Sequence, residues 1–297
     1  MFSKPLLHLS GSLYLQTGVK WLLTEGDKIL VGAFATLEDQ GMYAVSANYG
    51  GLIARMLFRP IEDSCRNLFA NLCALPSTEE AHASTHAKES TSKPNKATPT
   101  TANLTRAAET LHSILRTYTL ASLPIFAVGP TAAPLLLRLI AGTRWTDSGA
   151  GEVLATYCYC IPLLAINGVS EAFVAATASS SELRRQSLWM GGFTTGFAVS
   201  AYVFLQVLGM GAKGLVLANC VNMGLRIVFN LGYARRFLGQ QGVEFGTVGL
   251  LPNGLAVGIT AVGTAVMAQT SGLLVRFGIL GELVRVGAIG MVLAGAV

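Results

Sequence analysis

The chain alternates long apolar blocks with short polar breaks, and about 20 apolar residues are what an α-helix needs to cross the hydrocarbon of a bilayer. The blocks run roughly Ser12 to Thr36, Met42 to Leu75, Arg106 to Ile140, Gly151 to Ala178, Leu188 to Leu208, Gly214 to Tyr233, Gly249 to Ala268, and from near Leu283 to Val297. This pattern predicts an all-α fold, a polytopic membrane helix bundle of about eight spans. Small-xxx-small pairs, Gly192 with Gly196 and Gly254 with Gly258, suit close helix packing inside it.

Two blocks depart from a plain apolar pattern. The first carries Lys20, Glu25, Asp27 and Lys28. At about 100° per residue, Lys20, Thr24, Asp27 and Lys28 fall on one arc and Leu22, Leu23, Ile29 and Leu30 on the other, so the span is amphipathic rather than polar. The second repeats the design. Asn48, Arg55, Arg59, Glu62 and Arg66 share a stripe with Asp63 at its margin, opposite Leu57, Ile61, Cys65 and Leu68. Pro60 removes one backbone hydrogen bond and predicts a kink between the two arginines and the two acids. Pro124, Pro130 and Pro134 predict a broken or bent third span, and Asn167 and Glu171 place polar groups in the fourth. From Pro76 to Asn103 the chain is rich in Ser, Thr, Ala, Lys and His, a composition that cannot bury a core. That predicts one membrane domain over residues 1–297, interrupted by a disordered cytosolic loop over 76–105.

Composition supports the membrane reading, with 52% hydrophobic and 12% charged residues against about 25% charged in soluble domains. The net charge of +5 is spread over the ends of apolar blocks, whereas a nucleic-acid binder gathers its cations on one face. Counting loop charges on alternate sides, one side collects Lys4, Lys88, Lys93, Lys96, Arg106, Arg184, Arg185, Arg235 and Arg236, and the other Arg138, Arg144, Lys213 and Arg276. The positive-inside rule then puts both chain ends in the cytosol. The five cysteines are odd in number and form no CxxC pair, which predicts buried reduced thiols.

Most candidate motifs have a plain reading. Gly209-Met-Gly211-Ala-Lys213-Gly214 matches GxGxxG, but it links two membrane spans instead of joining a strand to a helix, so it reads as a turn. His82 and His86 have metal-ligand spacing only if a Ser/Thr-rich stretch is helical. Asn103-Leu-Thr105 is a glycosylation sequon on the side assigned to the cytosol. No Asp-x-Asp occurs for a sugar nucleotide. No catalytic, metal or cofactor site is expected.

The charged spans carry the chemistry, because ionisable groups at membrane depth are costly and face a bundle interior or a watery cavity. In one reading they are structural ion pairs, Glu25 with Lys28 and Arg59 with Asp63 or Arg66 with Glu62. In the other, Arg55 and Arg59, with Lys20 or Lys28, hold a phosphate or pyrophosphate, for which the planar guanidinium fork is suited.

The same residues carry a resemblance. Leu22-Leu-Thr-Glu-Gly-Asp-Lys28, Asp39-Gln-Gly-Met-Tyr43, Tyr49-Gly-Gly-Leu-Ile-Ala-Arg55 and Phe58-Arg-Pro-Ile-Glu-Asp63 are similar to blocks of the Rft family, as are Tyr157-Cys158, Leu164-Ala-Ile-Asn-Gly168 and Glu171-Ala-Phe173. The resemblance implies the multidrug/oligosaccharidyl-lipid/polysaccharide exporter superfamily, a two-lobed fold of about fourteen spans around a central cavity. The eight blocks then correspond to the second lobe, and the chain is expected to be a fragment lacking the first six spans and the partner lobe. The resemblance further implies a multi-pass protein of the endoplasmic reticulum membrane whose partner is a dolichol pyrophosphate glycolipid. Its role would be to move that lipid-linked oligosaccharide to the lumenal leaflet, as transporter or transport factor, in N-glycan assembly. An ion-coupled exporter of small molecules, with Glu25, Asp27 or Glu171 as the ion site, and a non-transporting scaffold are the alternatives.

Overall fold

The computed structural model describes residues 31–73, 101–142, 148–273 and 275–296. The first amphipathic span up to residue 30, with Lys20, Glu25, Asp27 and Lys28, lies outside the described residues, as do residues 74–100 with His82 and His86.

Among the described residues the chain forms nine α-helices: α1 (Leu37–Ile53), α2 (Arg59–Cys73), α3 (Thr101–Ala141), α4 (Ala150–Tyr157), α5 (Cys160–Thr177), α6 (Ser180–Tyr202), α7 (Ala212–Gln240), α8 (Gly254–Gln269) and α9 (Gly278–Ala296). Five helical stretches are long and apolar enough to cross a membrane: α3, α5, residues 181–207, α7 and α9; α8 is apolar but shorter. The protein is a polytopic helical bundle, as its apolar blocks predict.

Two breaks and one continuous helix mark where the structure adds to or departs from the sequence reading. Helices α1 and α2 are joined by a π turn over Ala54–Phe58 that runs directly into Arg59 and Pro60. Proline lacks an N–H for the carbonyl four residues back, and the π turn accommodates that loss by adding a residue to the helix at the place where the sequence predicts a kink. The added residue also turns the faces before and after it relative to each other. The expected fourth span is split between α4 and α5 at Cys158–Tyr159, and Pro162 sits in the first turn of α5, the place where a helix tolerates it. Conversely, α3 is one continuous helix with all three prolines inside it, where a broken span was expected. Neighbours can satisfy the freed carbonyls in a bundle, and α4 packs directly on the proline face, Gly151 leaving the space beside Pro134. Helix α3 also begins at Thr101, so residues 101–105 are helical and not part of a loop.

At 41 residues, α3 is about 60 Å long, twice the hydrocarbon thickness, and it carries an apolar cluster at each end. Near its start, Leu104, Leu111 and Leu115 pack with Phe69 of α2, Val169 and Phe173 of α5 and Leu238 of α7. Toward its end, Ala133 and Leu137 pack with Val153, Leu154 and Tyr157 of α4, Ile161 of α5 and Val216 of α7.

Helix caps tie the second end together. The Thr36 hydroxyl accepts from the Asp39 N–H at 3.1 Å and donates to the Asp39 carboxylate at 2.7 Å, capping α1. The other Asp39 oxygen accepts from the Ala212 N–H at 2.8 Å, capping α7 as well. The GxGxxG stretch is the turn that delivers α7 to this contact, with φ of 61° at Gly209 and 55° at Gly211, values that favour glycine. Lys213 pairs with Glu152 beside it. Cys160 and Cys220 form a disulfide between α5 and α7, with Cα atoms 5.4 Å apart, which corrects the expectation of reduced thiols for this pair. Their sequence separation of 60 residues gave no local signal; Cys65, Cys73 and Cys158 are free thiols.

Candidate functional site

Between the two apolar clusters the bundle becomes polar. Helix α7 carries Asn219, Asn222, Arg226 and Asn230, a spacing of three, four and four that keeps them within one arc of the helix. The three asparagines are buried. Opposite them, α5 presents Asn167 and Ser170, also buried, and the half-buried Glu171. The Asn230 amide donates to the Ser170 hydroxyl at 3.2 Å and to the Asn167 side-chain oxygen at 3.5 Å, and the Asn167 amide donates to the Glu171 carboxylate at 3.2 Å. Nearer the start of both helices, seven residues before Asn167 on α5 and ten before Asn230 on α7, the Cys160–Cys220 bridge crosses the same pair.

Helix α2 adds an acid to this layer. Its packed face is Phe58, Glu62, Cys65, Phe69 and Leu72, spaced four, three, four and three, and Gly168 of α5 leaves the room that the Glu62 carboxylate fills. Glu62 thereby comes within electrostatic reach of Glu171 as well as of Asp63, Arg59 and Arg66. Tyr118 of α3 packs at a tilt against Phe58, with ring centroids 5.6 Å apart. Two buried oxygens of this layer, Asn222 Oδ1 and Tyr118 Oη, have no hydrogen-bond partner among the described residues. Buried polar atoms are normally satisfied, so each marks a place for water or a ligand group.

The sequence stripe on α1 and α2 is thus divided. Asn48, Arg55, Arg59, Asp63 and Arg66 are exposed, whereas Glu62 turns inward. Cys65, projected on the opposite face, is buried beside Glu62, and Leu57, Ile61 and Leu68 are exposed instead. Within α2 the division follows the regular 100° step, with Glu62 on the Cys65 and Phe69 side and Arg59, Asp63 and Arg66 on the other. The ion pairs also differ from both expected ones: Arg66 pairs with Asp63 at 3.7 Å, three residues apart. Arg59 forms no ion pair among the described residues. Arg55 donates to the Asn48 carbonyl at 3.2 Å, which folds its guanidinium back along α1 toward Gly51 and Tyr157.

Sequence reading singled out Asn167 and Glu171 but passed over the α7 row. The signal was there: Arg226 is a charge inside an apolar span, with asparagines one turn on either side. A second omission is Arg285 of α9, 8% exposed, which pairs with Glu282 at 2.6 Å and donates to the Met267 carbonyl at 2.9 Å and the Thr270 hydroxyl at 2.8 Å, stapling α8 to α9.

The chain is 35% identical over 269 residues to the Man(5)GlcNAc(2)-PP-dolichol translocation protein RFT1 of Yarrowia lipolytica, which covers 87% of this chain and 37% of that protein. The protein of the same name from Saccharomyces cerevisiae is 32% identical over 228 residues, 77% of this chain and 36% of its own length. That of Xenopus tropicalis is 33% identical over 261 residues, 87% and 44% respectively. The chain therefore spans about two fifths of the length of the curated relatives it matches. No solved structure matches it. The family model described as Rft protein matches residues 1–295, and the chain belongs to that family.

Proposed function

We propose that this chain acts in the endoplasmic-reticulum membrane as one lobe of a translocation protein for oligosaccharide-pyrophosphoryl-dolichol, and that it performs no covalent chemistry. The observation that carries this reading is a polar layer in mid-bundle flanked by exposed arginines, in a member of a family whose relatives are named for that translocation. Arg55 and Arg59 supply positive charge for the pyrophosphate, with Lys20 or Lys28 as further candidates from the sequence, since guanidinium groups bind such oxygens bidentately and strongly where water is scarce. Arg226, in the polar row of α7, adds a further cation within the bundle. The amide and carboxylate groups of Asn167, Glu171 and Asn222 match sugar hydroxyls, which both donate and accept. Glycolipid movement then needs only that such groups be reached from one leaflet and released to the other. In this reading both chain ends face the cytosol.

The test is binding of a polyprenyl-pyrophosphoryl chitobiose to the purified chain in nanodiscs, read by native mass spectrometry. Retention of the glycolipid over an equal amount of phosphatidylcholine, lost with Arg55→Gln and Arg59→Gln together, is the expected result. Equal retention of both lipids by both proteins would leave the arginines as scaffold charges. Glu62 and Glu171 facing one another favour one second reading, an ion-coupled exporter. Proton-dependent efflux of an organic cation from vesicles, abolished by Glu171→Gln and indifferent to glycolipid, would establish it instead.

A further inference from the structure

A cavity of about 570 Å³ opens between α1, α3, the α4–α5 break and α9. One face of α3 forms its floor, from Pro124 through Val128, Ala132 and Leu136 to Ile140. Those sixteen steps cover about 24 Å at 1.5 Å per residue, most of the hydrocarbon thickness. Along that length the lining is apolar, which suits a hydrocarbon chain and offers almost no partner for sugar hydroxyls. Every lining side chain except those of Tyr49 and Cys158 is hydrocarbon or absent. The slot opens outward, with Leu136 43% and Ile140 67% exposed.

Its position decides what it holds. Within a bilayer an apolar slot always fills, because lipid tails are as apolar as the protein and give no hydrophobic preference. Occupancy is therefore set by shape and by where the head group is held. Tyr49, Gly50 and Leu52 of α1 form one wall, and Arg55 folds back onto the Asn48 carbonyl of that same helical stretch. The cation and the slot thus adjoin around two turns of α1. Ala132 on the floor carries only a methyl group, whereas at Gly129 the Cys158 side chain packs against the helix.

We propose that this slot seats the isoprenoid tail of the pyrophosphoryl lipid whose head is bound at Arg55, an inference that rests on the functional reading above. The head is then gripped from the arginine face of α1 while the tail stays in the slot on the adjoining face.

Three lipids carrying the same diazirine in the tail test this on the full chain in nanodiscs: a polyprenyl pyrophosphate, an uncharged polyprenol and a phosphatidylcholine. Adducts mapped by peptide mass spectrometry should fall on Val128, Ala132 and Leu136, with the pyrophosphate probe labelling about tenfold more than phosphatidylcholine and Arg55→Gln removing that excess. Ala132→Phe, which fills the slot, should abolish the labelling, with elution as a monodisperse peak checking its folding; mapping on the unaltered chain stands without it. Equal labelling by phosphatidylcholine, or polyprenyl adducts elsewhere while affinity still depends on Arg55, overturns the slot and spares the head-group site. Equal slot labelling by both isoprenoids above phosphatidylcholine, indifferent to Arg55→Gln, sustains the slot and sinks the head-group reading.

Discussion

The rod of α1 and α2 and the seam between α5 and α7 both carry polar groups through an apolar bundle, yet they hold them in opposite ways. In the seam, Asn167, Ser170 and Asn230 are buried and satisfy one another, with Glu171 as the outer acceptor. On the rod, Arg55, Arg59 and Arg66 are exposed, and the one ion pair there among the described residues, Arg66 with Asp63, is open on both sides at 50% and 58% side-chain exposure. Buried groups that satisfy each other hold helices together, whereas exposed charges with weak partners contribute little to stability and stay available. The seam is therefore read as the support and the rod as the contact surface, with Glu62 the point where the two meet.

Substitutions should separate the two regions, and the largest effect belongs to the seam. Cys160→Ala with Cys220→Ala removes a link across 60 residues and should cost about 2–4 kcal/mol, seen as a lower melting temperature in detergent. Gly168→Val puts a branched side chain where the Glu62 carboxylate lies and should cost about 1–3 kcal/mol by overpacking. Asn230→Leu leaves Asn167 and Ser170 short of a donor; hydrogen bonds between membrane helices give an expected loss of about 0.6–1.7 kcal/mol. At the small end, Asp63→Asn should change stability by less than about 1 kcal/mol, as exposed pairs do. A loss for Asp63→Asn as large as that for Asn230→Leu would erase the distinction between the regions.

Much of this was legible in the chain. Apolar blocks locate the spanning helices because the bilayer fixes their length, and the family follows from the blocks Tyr49 to Arg55 and Phe58 to Asp63. Turn chemistry at Gly209 and Gly211 was readable for the same local reason. What escaped depends on contacts between distant residues. Within α2 a 100° step sets Glu62 only about 60° from Cys65, so Glu62 went to the arginine stripe because it is charged, and only its packing partner on α5 shows that it belongs to the buried face. The Cys160–Cys220 bridge requires knowing that α5 and α7 are neighbours. The row through Arg226 was visible as periodicity, but four polar residues still leave the block apolar enough to read as a plain membrane span.

The most direct measurement takes Arg55→Gln/Arg59→Gln beside the unaltered chain and records, in the same nanodisc preparations, the melting temperature and the Kd for a polyprenyl-pyrophosphoryl glycolipid. The account predicts a Kd raised by at least about tenfold, from the loss of charge-assisted hydrogen bonds, with the melting temperature essentially unmoved. An unchanged Kd with a fall in melting temperature as large as that of the seam variants would contradict it, and would make these arginines part of the support.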